Sequence, residues 1–114
     1  MSYQVYVIEL SRKVFTENTR FREANPQFNG MLQCLYVGMT SKTPAERFIQ
    51  HKTGYVNKNG HKLSSNIVQK YGAYLRPSLY DHINLKAMNQ AEALIMEKKL
   101  ALDLRRQGYA VWFN

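Results

Sequence analysis

The apolar residues fall into two short β-rich runs, then two groups with helical spacing, and close on an aromatic tail. Gln4 to Leu10 reads Gln-Val-Tyr-Val-Ile-Glu-Leu and is bounded by Ser11-Arg12-Lys13, which predicts a strand. Gln33 to Met39 predicts a second strand, central in character, where Gly38 permits a turn or a close approach. Between them, Val14 to Met31 scatters its apolar residues among Glu17, Asn18, Arg20, Arg22, Asn25-Pro26 and Asn29-Gly30. This stretch is expected to be an extended excursion that holds a short helix or forms an arm over a groove. Phe15, Phe21 and Phe28 would pin it to the body.

Thr43 opens the first clear helix: threonine caps, Pro44 suits the first turn and Glu46 completes a capping box. Phe48, with Ala45 and Ile49, is its expected apolar contact, and Arg47 and His51, four apart, share a face. Thr53 to Lys62 is a polar, basic loop. Ser64 or Ser65 is placed to cap a short helix reaching Lys70 or Tyr71, which Gly72 ends. Leu75 to Ile83 predicts an edge-like third strand interrupted by Arg76-Pro77. Asn89 and Glu92 form another capping box, and helix formers run from Gln90 to Gln107 before Gly108 stops them. Apolar positions of this helix include Ala93, Leu94, Leu100, Ala101 and Leu104. Glu97 lies three or four residues from four of these, and so within the apolar face. A carboxylate so placed is expected to be paired or to hold a cation. The tail from Tyr109 to Phe113 should dock against the body.

The 114 residues suit one domain with a modest core, and the single Cys34 excludes an internal disulfide framework. No apolar run approaches the roughly 18 residues of a membrane helix and no leader pattern is evident, so a soluble, cytoplasmic protein without a membrane partner is expected. The formal charge is +8, from 16 Lys and Arg against 8 Asp and Glu. From Lys42 to Arg76 the cations are Lys42, Arg47, Lys52, Lys58, Lys62, Lys70 and Arg76, and the only acid is Glu46. Such a segment draws a polyanion by steering and counterion release, which points to nucleic acid, with Lys42, Lys52, Lys58, Lys62 and Lys70 as its contacts.

Candidate chemistry narrows by elimination. One cysteine and three dispersed histidines give no zinc spacing, no glycine-rich nucleotide loop is present, and no carboxylate pair suits glycoside hydrolysis. Tyr6, Tyr36, Arg47, His51 and Glu97 remain, and together they suit phosphodiester cleavage. Glu97 would hold one hard divalent cation, completed by waters and phosphate oxygens. Arg47 would clamp non-bridging oxygens. The base is left open between a tyrosine, whose free phenol titrates near about 10, and His51, which titrates closer to neutrality.

In these residues the chain resembles the GIY-YIG nuclease superfamily. Gln4-Val5-Tyr6 resembles the first family motif and Tyr36-Val37-Gly38 the second. Arg47, His51 one turn later, and Glu97 in Glu97-Lys98-Lys99-Leu100 resemble the family arginine, the histidine of some branches and the metal-binding glutamate. Gln69-Lys70-Tyr71-Gly72 is similar to the helix end before the third strand of intron-type homing members, and Asn114, at a longer spacing, is the candidate for a late asparagine. The first-motif glycine is replaced by Gln4, and residues 11–34 form an insertion where the family has a short hairpin.

The resemblance implies an α/β (α+β) fold: a small three-stranded antiparallel sheet flanked by helices. It implies metal-dependent DNA endonuclease activity with Mg2+, for which Mn2+ substitutes. Tyr6 would be the general base, assisted by Tyr36, with Gly38 and Asn114 in support. Sequence specificity is expected to be low, or to come from a homodimer or an appended DNA-binding domain. The alternative is a catalytically inactive nucleic-acid-binding module of the same fold.

Overall fold

The computed structural model describes residues 2–54 and 66–113. The chain is α+β. In order it forms β1 (Gln4–Leu10), α1 (Lys13–Glu17), α2 (Thr19–Ala24), β2 (Cys34–Thr40), α3 (Pro44–Thr53), α4 (Asn66–Tyr71), β3 (Gly72–Leu75), a 3-10 turn at Pro77–Leu79, α5 (Gln90–Gln107) and β4 (Ala110–Phe113). The strands make one sheet in the order β3-β1-β2-β4. β1 is antiparallel to both β2 and β3, while β4 lies parallel to β2.

The three antiparallel strands expected from the sequence are therefore joined by a fourth, and the sheet is mixed. The aromatic tail does more than dock. A parallel partner needs a long crossover, and α5 carries the chain back along the sheet so that Ala110–Phe113 meets Cys34–Val37 in register. With neighbours on both sides, β1 and β2 are buried almost throughout, which explains their largely apolar character; Gln4 and Glu9 of β1 fall at its partly exposed positions.

Both capping boxes form as the sequence predicts. The Thr43 side chain accepts from the Glu46 N–H and the Asn89 side chain from the Glu92 N–H, each answered by the glutamate. Gly108 ends α5 in the left-handed region. Other expectations need correction. The third strand is not Leu75–Ile83. It is Gly72–Leu75, because the Pro77 ring removes a donor and the chain tightens into a 3-10 turn. Leu94 is 54% exposed, and on α3 Ile49 is 62% exposed while Ala45 also faces out. Real helix rotation turns these residues outward. Ala93, Glu97, Leu100, Ala101 and Leu104 on α5 face inward, as does His51 on α3, alongside the half-buried Phe48. Of the two alternatives for the insertion the short helix holds, and it is doubled: the stretch carries α1 and α2. Phe21 is buried there, with Phe15 and Phe28 packed beside it at ring separations of 6.5 Å (Phe15–Phe21) and 4.9 Å (Phe15–Phe28).

Side chains close the sheet edges that β3 and β4 leave open. β3 covers only the far half of β1, and the side-chain amide of Asn84 takes over at Val5. It accepts from the Val5 N–H at 3.0 Å and donates to the Val5 carbonyl at 2.8 Å. At the opposite edge the Val111 N–H donates to Asn25 Oδ1 at 2.7 Å, and Arg105 donates to the Val111 carbonyl at 2.8 Å. Asn25 is itself buried and donates to the Phe21 carbonyl at 2.8 Å, so the insertion helix α2 is tied to the edge it protects. Replacing Asn25 with leucine leaves the buried Val111 N–H without an acceptor. We expect a loss of about 1–3 kcal/mol, read as a lower urea midpoint at unchanged slope. An unchanged midpoint would refute the edge-closing role.

Candidate active site

Strand register begins the site. Tyr6 lies directly opposite Gly38, and Ile8 opposite Tyr36. Directly opposed residues share a face, so both tyrosines project from the same side of the sheet, with Trp112 beside Tyr36 through the β4 pairing. Gly38 supplies space there and not a turn. A Cβ at that position would come within 2.5 Å of the Tyr6 hydroxyl oxygen, 2.6 Å of Tyr6 Cζ and 3.0 Å of Tyr36 Cε1. The absent side chain lets the Tyr6 ring lie against the backbone of β2.

Helix α3 closes the cluster from above. Its capped start sets the rotation that points His51 inward, and His51 is fully buried. The Tyr6 hydroxyl and His51 Nε2 are 2.8 Å apart. The Tyr36 ring meets His51 edge-on at 5.4 Å, and the two tyrosine rings are 6.2 Å apart. Tyr6, Tyr36 and His51 thus form a closed triangle with a polar bond at its centre.

Electrostatics fix the charge state of the pair. Burial drives the Tyr6 hydroxyl far above its ordinary range. Tyr36 and Glu97 add to the rise, and the Arg47 guanidinium opposes it. Burial, then the positive charge of Arg47, hold His51 down at about 4. Near neutral pH the phenol is therefore protonated and the imidazole neutral. A single proton therefore bridges the Tyr6 oxygen and His51 Nε2, given by the phenol when His51 carries its own proton on Nδ1. Glu97, only 4% exposed, makes no hydrogen bond or salt bridge among the described residues. Burial pushes its carboxyl up to about 7. Arg47 is half-buried and its Nη1 donates to Gln50 Oε1 at 3.1 Å.

The structure thus brings Tyr6, Tyr36 and His51 into mutual contact, with Arg47 and Glu97 close enough to act on the Tyr6 proton. Lys42 is exposed in the turn between β2 and α3. Lys52 is engaged within the fold, donating to the Gln69 and Gly72 carbonyls at 3.3 and 2.8 Å. Lys70 lies 3.9 Å from Glu17 and over the Tyr71 ring. Lys58, Lys62 and Asn114 fall outside the described residues. Sequence reasoning missed Gln50 and Trp112. The three-residue spacing from Arg47 could have flagged Gln50, whereas Trp112 joins the site face only through the parallel register of β4.

Among the described residues no group of three or more His, Cys, Asp or Glu could hold a metal ion. Glu97 is nonetheless suited to serve as the single protein ligand of a hard divalent cation, since a buried carboxylate without a hydrogen-bond donor gains most from one.

Two measurements follow from this geometry. Gly38→Ala forces the Tyr6 ring off its seat, and we expect about 1–3 kcal/mol of destabilisation in urea unfolding. The second concerns the metal-free protein. Glu97 binds its proton more tightly folded than unfolded, so its stabilisation is complete below its ordinary 4.5 and is lost as pH rises through about 7. His51 binds its proton less tightly when folded, so its stabilisation is complete above its ordinary 6.5 and is lost as pH falls through about 4. The two slopes oppose each other where they overlap. Stability of the parent protein should vary little with pH there, and Glu97→Gln should expose the His51 limb as stability that climbs between about 4 and 6.5. A flat profile in that variant would refute the His51 shift.

Compared with protein-family models, with curated proteins and with solved structures, the chain finds no match, so its function is argued from the chemistry of these residues.

Proposed function

We propose that the protein is a divalent-metal-dependent endonuclease that hydrolyses DNA phosphodiester bonds, with a GIY-YIG-like arrangement of side chains. The observation that carries this reading is the buried Tyr6–His51 hydrogen bond, with Arg47 and a Glu97 that is unpaired among the described residues acting on the same phenol. A +8 chain with a basic middle segment supports a nucleic-acid substrate.

Each residue then has a task. Glu97, once ionised, holds the cation, Mg2+ or Mn2+. The cation, when bound, supplies positive charge to the phosphate and leaving oxygens. Arg47 donates to the non-bridging oxygens, and Gln50 holds its guanidinium in orientation. Because Tyr6 resists ionisation, a free phenolate is an expensive intermediate. The Tyr6 oxygen instead takes a proton from the attacking water as its own proton passes to His51 Nε2. Arrival of the phosphate anion offsets the charge of Arg47, which raises the proton affinity of His51 at the moment it is needed. The water O–H bond breaks, a new P–O bond forms and the P–O bond to the leaving oxygen breaks, that oxygen keeping the electron pair and taking a proton from solvent. Tyr36 packs against His51 and fixes its ring.

A second reading, an inactive nucleic-acid-binding module, is favoured by one fact: Tyr6 is 1% and His51 0% exposed, as for a satisfied polar pair in a core. A cleavage panel of labelled single strands, duplexes, flaps and branched DNA, with and without Mg2+ or Mn2+, separates the two. The nuclease reading expects metal-dependent nicks, lost to background in Glu97→Ala and reduced about 10²–10⁴-fold in Tyr6→Phe. Salt-sensitive binding without nicks under any divalent cation supports the binding module. Cleavage should also rise with pH through about 7, the point at which Glu97 gives up its proton, and added metal should move that limb to lower pH.

A further inference from the structure

The outward face of α5 is unlike the rest of the surface. Leu94, Ile95 and Leu102 are exposed along it, interleaved with Lys98, Lys99 and Arg106, and these six residues line a shallow cavity of about 480 Å³. At Ile95 this cavity runs into a second one of about 590 Å³, between the start of α5 and the segment before it. That second cavity is walled by Ile83, Leu85, Met88 and Met96, and Lys86 also lines it. Among the described residues, Leu85 is the most exposed of the large apolar side chains. From Leu94 to Arg106 the face is about 18 Å long, three turns or so of a partner helix. Carboxylates are scarce on it. Asp103 is already held by Arg106, and Glu92, which lines the second cavity, is engaged in capping the start of α5.

We propose that this face docks an acidic, amphipathic helical segment of a partner protein, seating apolar side chains in the two cavities and carboxylates on Lys86, Lys98 and Lys99. Charge complementarity selects the occupant. These three ammonium groups make no hydrogen bond or ion pair among the described residues, and Lys98, between Leu94 and Leu102, and Lys99, one turn after Ile95, set positive charge beside each apolar contact. A second copy of this chain fits poorly. A two-fold axis at the middle of the face sets Leu94 against Arg106 and Lys98 against Leu102, and an axis at Lys98 opposes two ammonium groups. Duplex DNA would meet the cations but leave three large apolar side chains against its phosphates.

The test uses the full chain and a synthetic helix with leucines spaced i, i+3 and i+7 between glutamates. A control peptide carries lysine in place of glutamate. Chemical-shift mapping should place the acidic peptide on α5 and residues 83–88. Affinity should fall roughly tenfold for the control, for the doubly substituted Leu94→Asp, Leu102→Asp chain, and for Lys98→Glu with Lys99→Glu. All these sites are exposed, and an unchanged circular dichroism spectrum establishes that the variants fold. Failure of the acidic peptide to bind, or equal binding of both peptides, overturns the proposal. So does binding that maps elsewhere. Loss, in the Leu94→Asp, Leu102→Asp chain, of self-association, of binding to phosphatidylglycerol vesicles or of binding to random duplex DNA, with no peptide binding by the parent, would assign the face to that occupant instead.

Discussion

The close approach of one tyrosine to a glycine is the constraint around which the rest is arranged. Tyr6 sits on a strand buried on both faces, and its ring can lie over β2 only because position 38 has no Cβ. That seat aims its hydroxyl at His51, which must be carried inward by a helix of fixed rotation. The capping box at Thr43–Glu46 therefore acts at a distance. It sets the start of α3, the start sets which residue reaches the sheet one helix-length later, and that residue is a histidine. A bulkier residue at 38 or a slipped helix start would break the hydrogen bond between these two buried groups.

Burial makes this pair chemically unusual as well as structurally necessary. Loss of water raises Tyr6 and Glu97 and lowers His51, so all three neighbours favour their neutral forms. Arg47 is the fixed charge among them. The cluster is thus short of charge compensation, and a phosphate with a divalent cation would supply both signs. In the proposed nuclease this explains why Tyr6 works as a relay and not as a stored phenolate. The proton moves only when the substrate has altered the field that holds it.

Much of the architecture was legible from local signals. The two buried strands, both capping boxes, the Gly108 stop and the inward position of Glu97 all follow from residue type and spacing, because each depends on neighbours within one or two turns. Errors occurred where tertiary packing decides. Leu94 and Ile49 look like core residues by spacing, yet the facing sheet leaves them outside. The tail looks like any apolar terminus until α5 lays it beside β2. The insertion at 11–34 shows no strong periodicity, since its helices are short and its key group is a single buried amide, Asn25.

The same division applies to the site. By itself the sequence determined which chemical groups are present, their order, and that Arg47 and His51 share a helix face. It also placed a carboxylate within an apolar stripe, because periodicity is a local property. Only the tertiary structure decided that Tyr6 meets His51, that Gly38 makes room for the ring, and that Lys52 and Lys70 turn back onto the fold. Those facts depend on strand register and on helices packing across the sheet, which bring together residues far apart in the chain, where no local pattern records the contact.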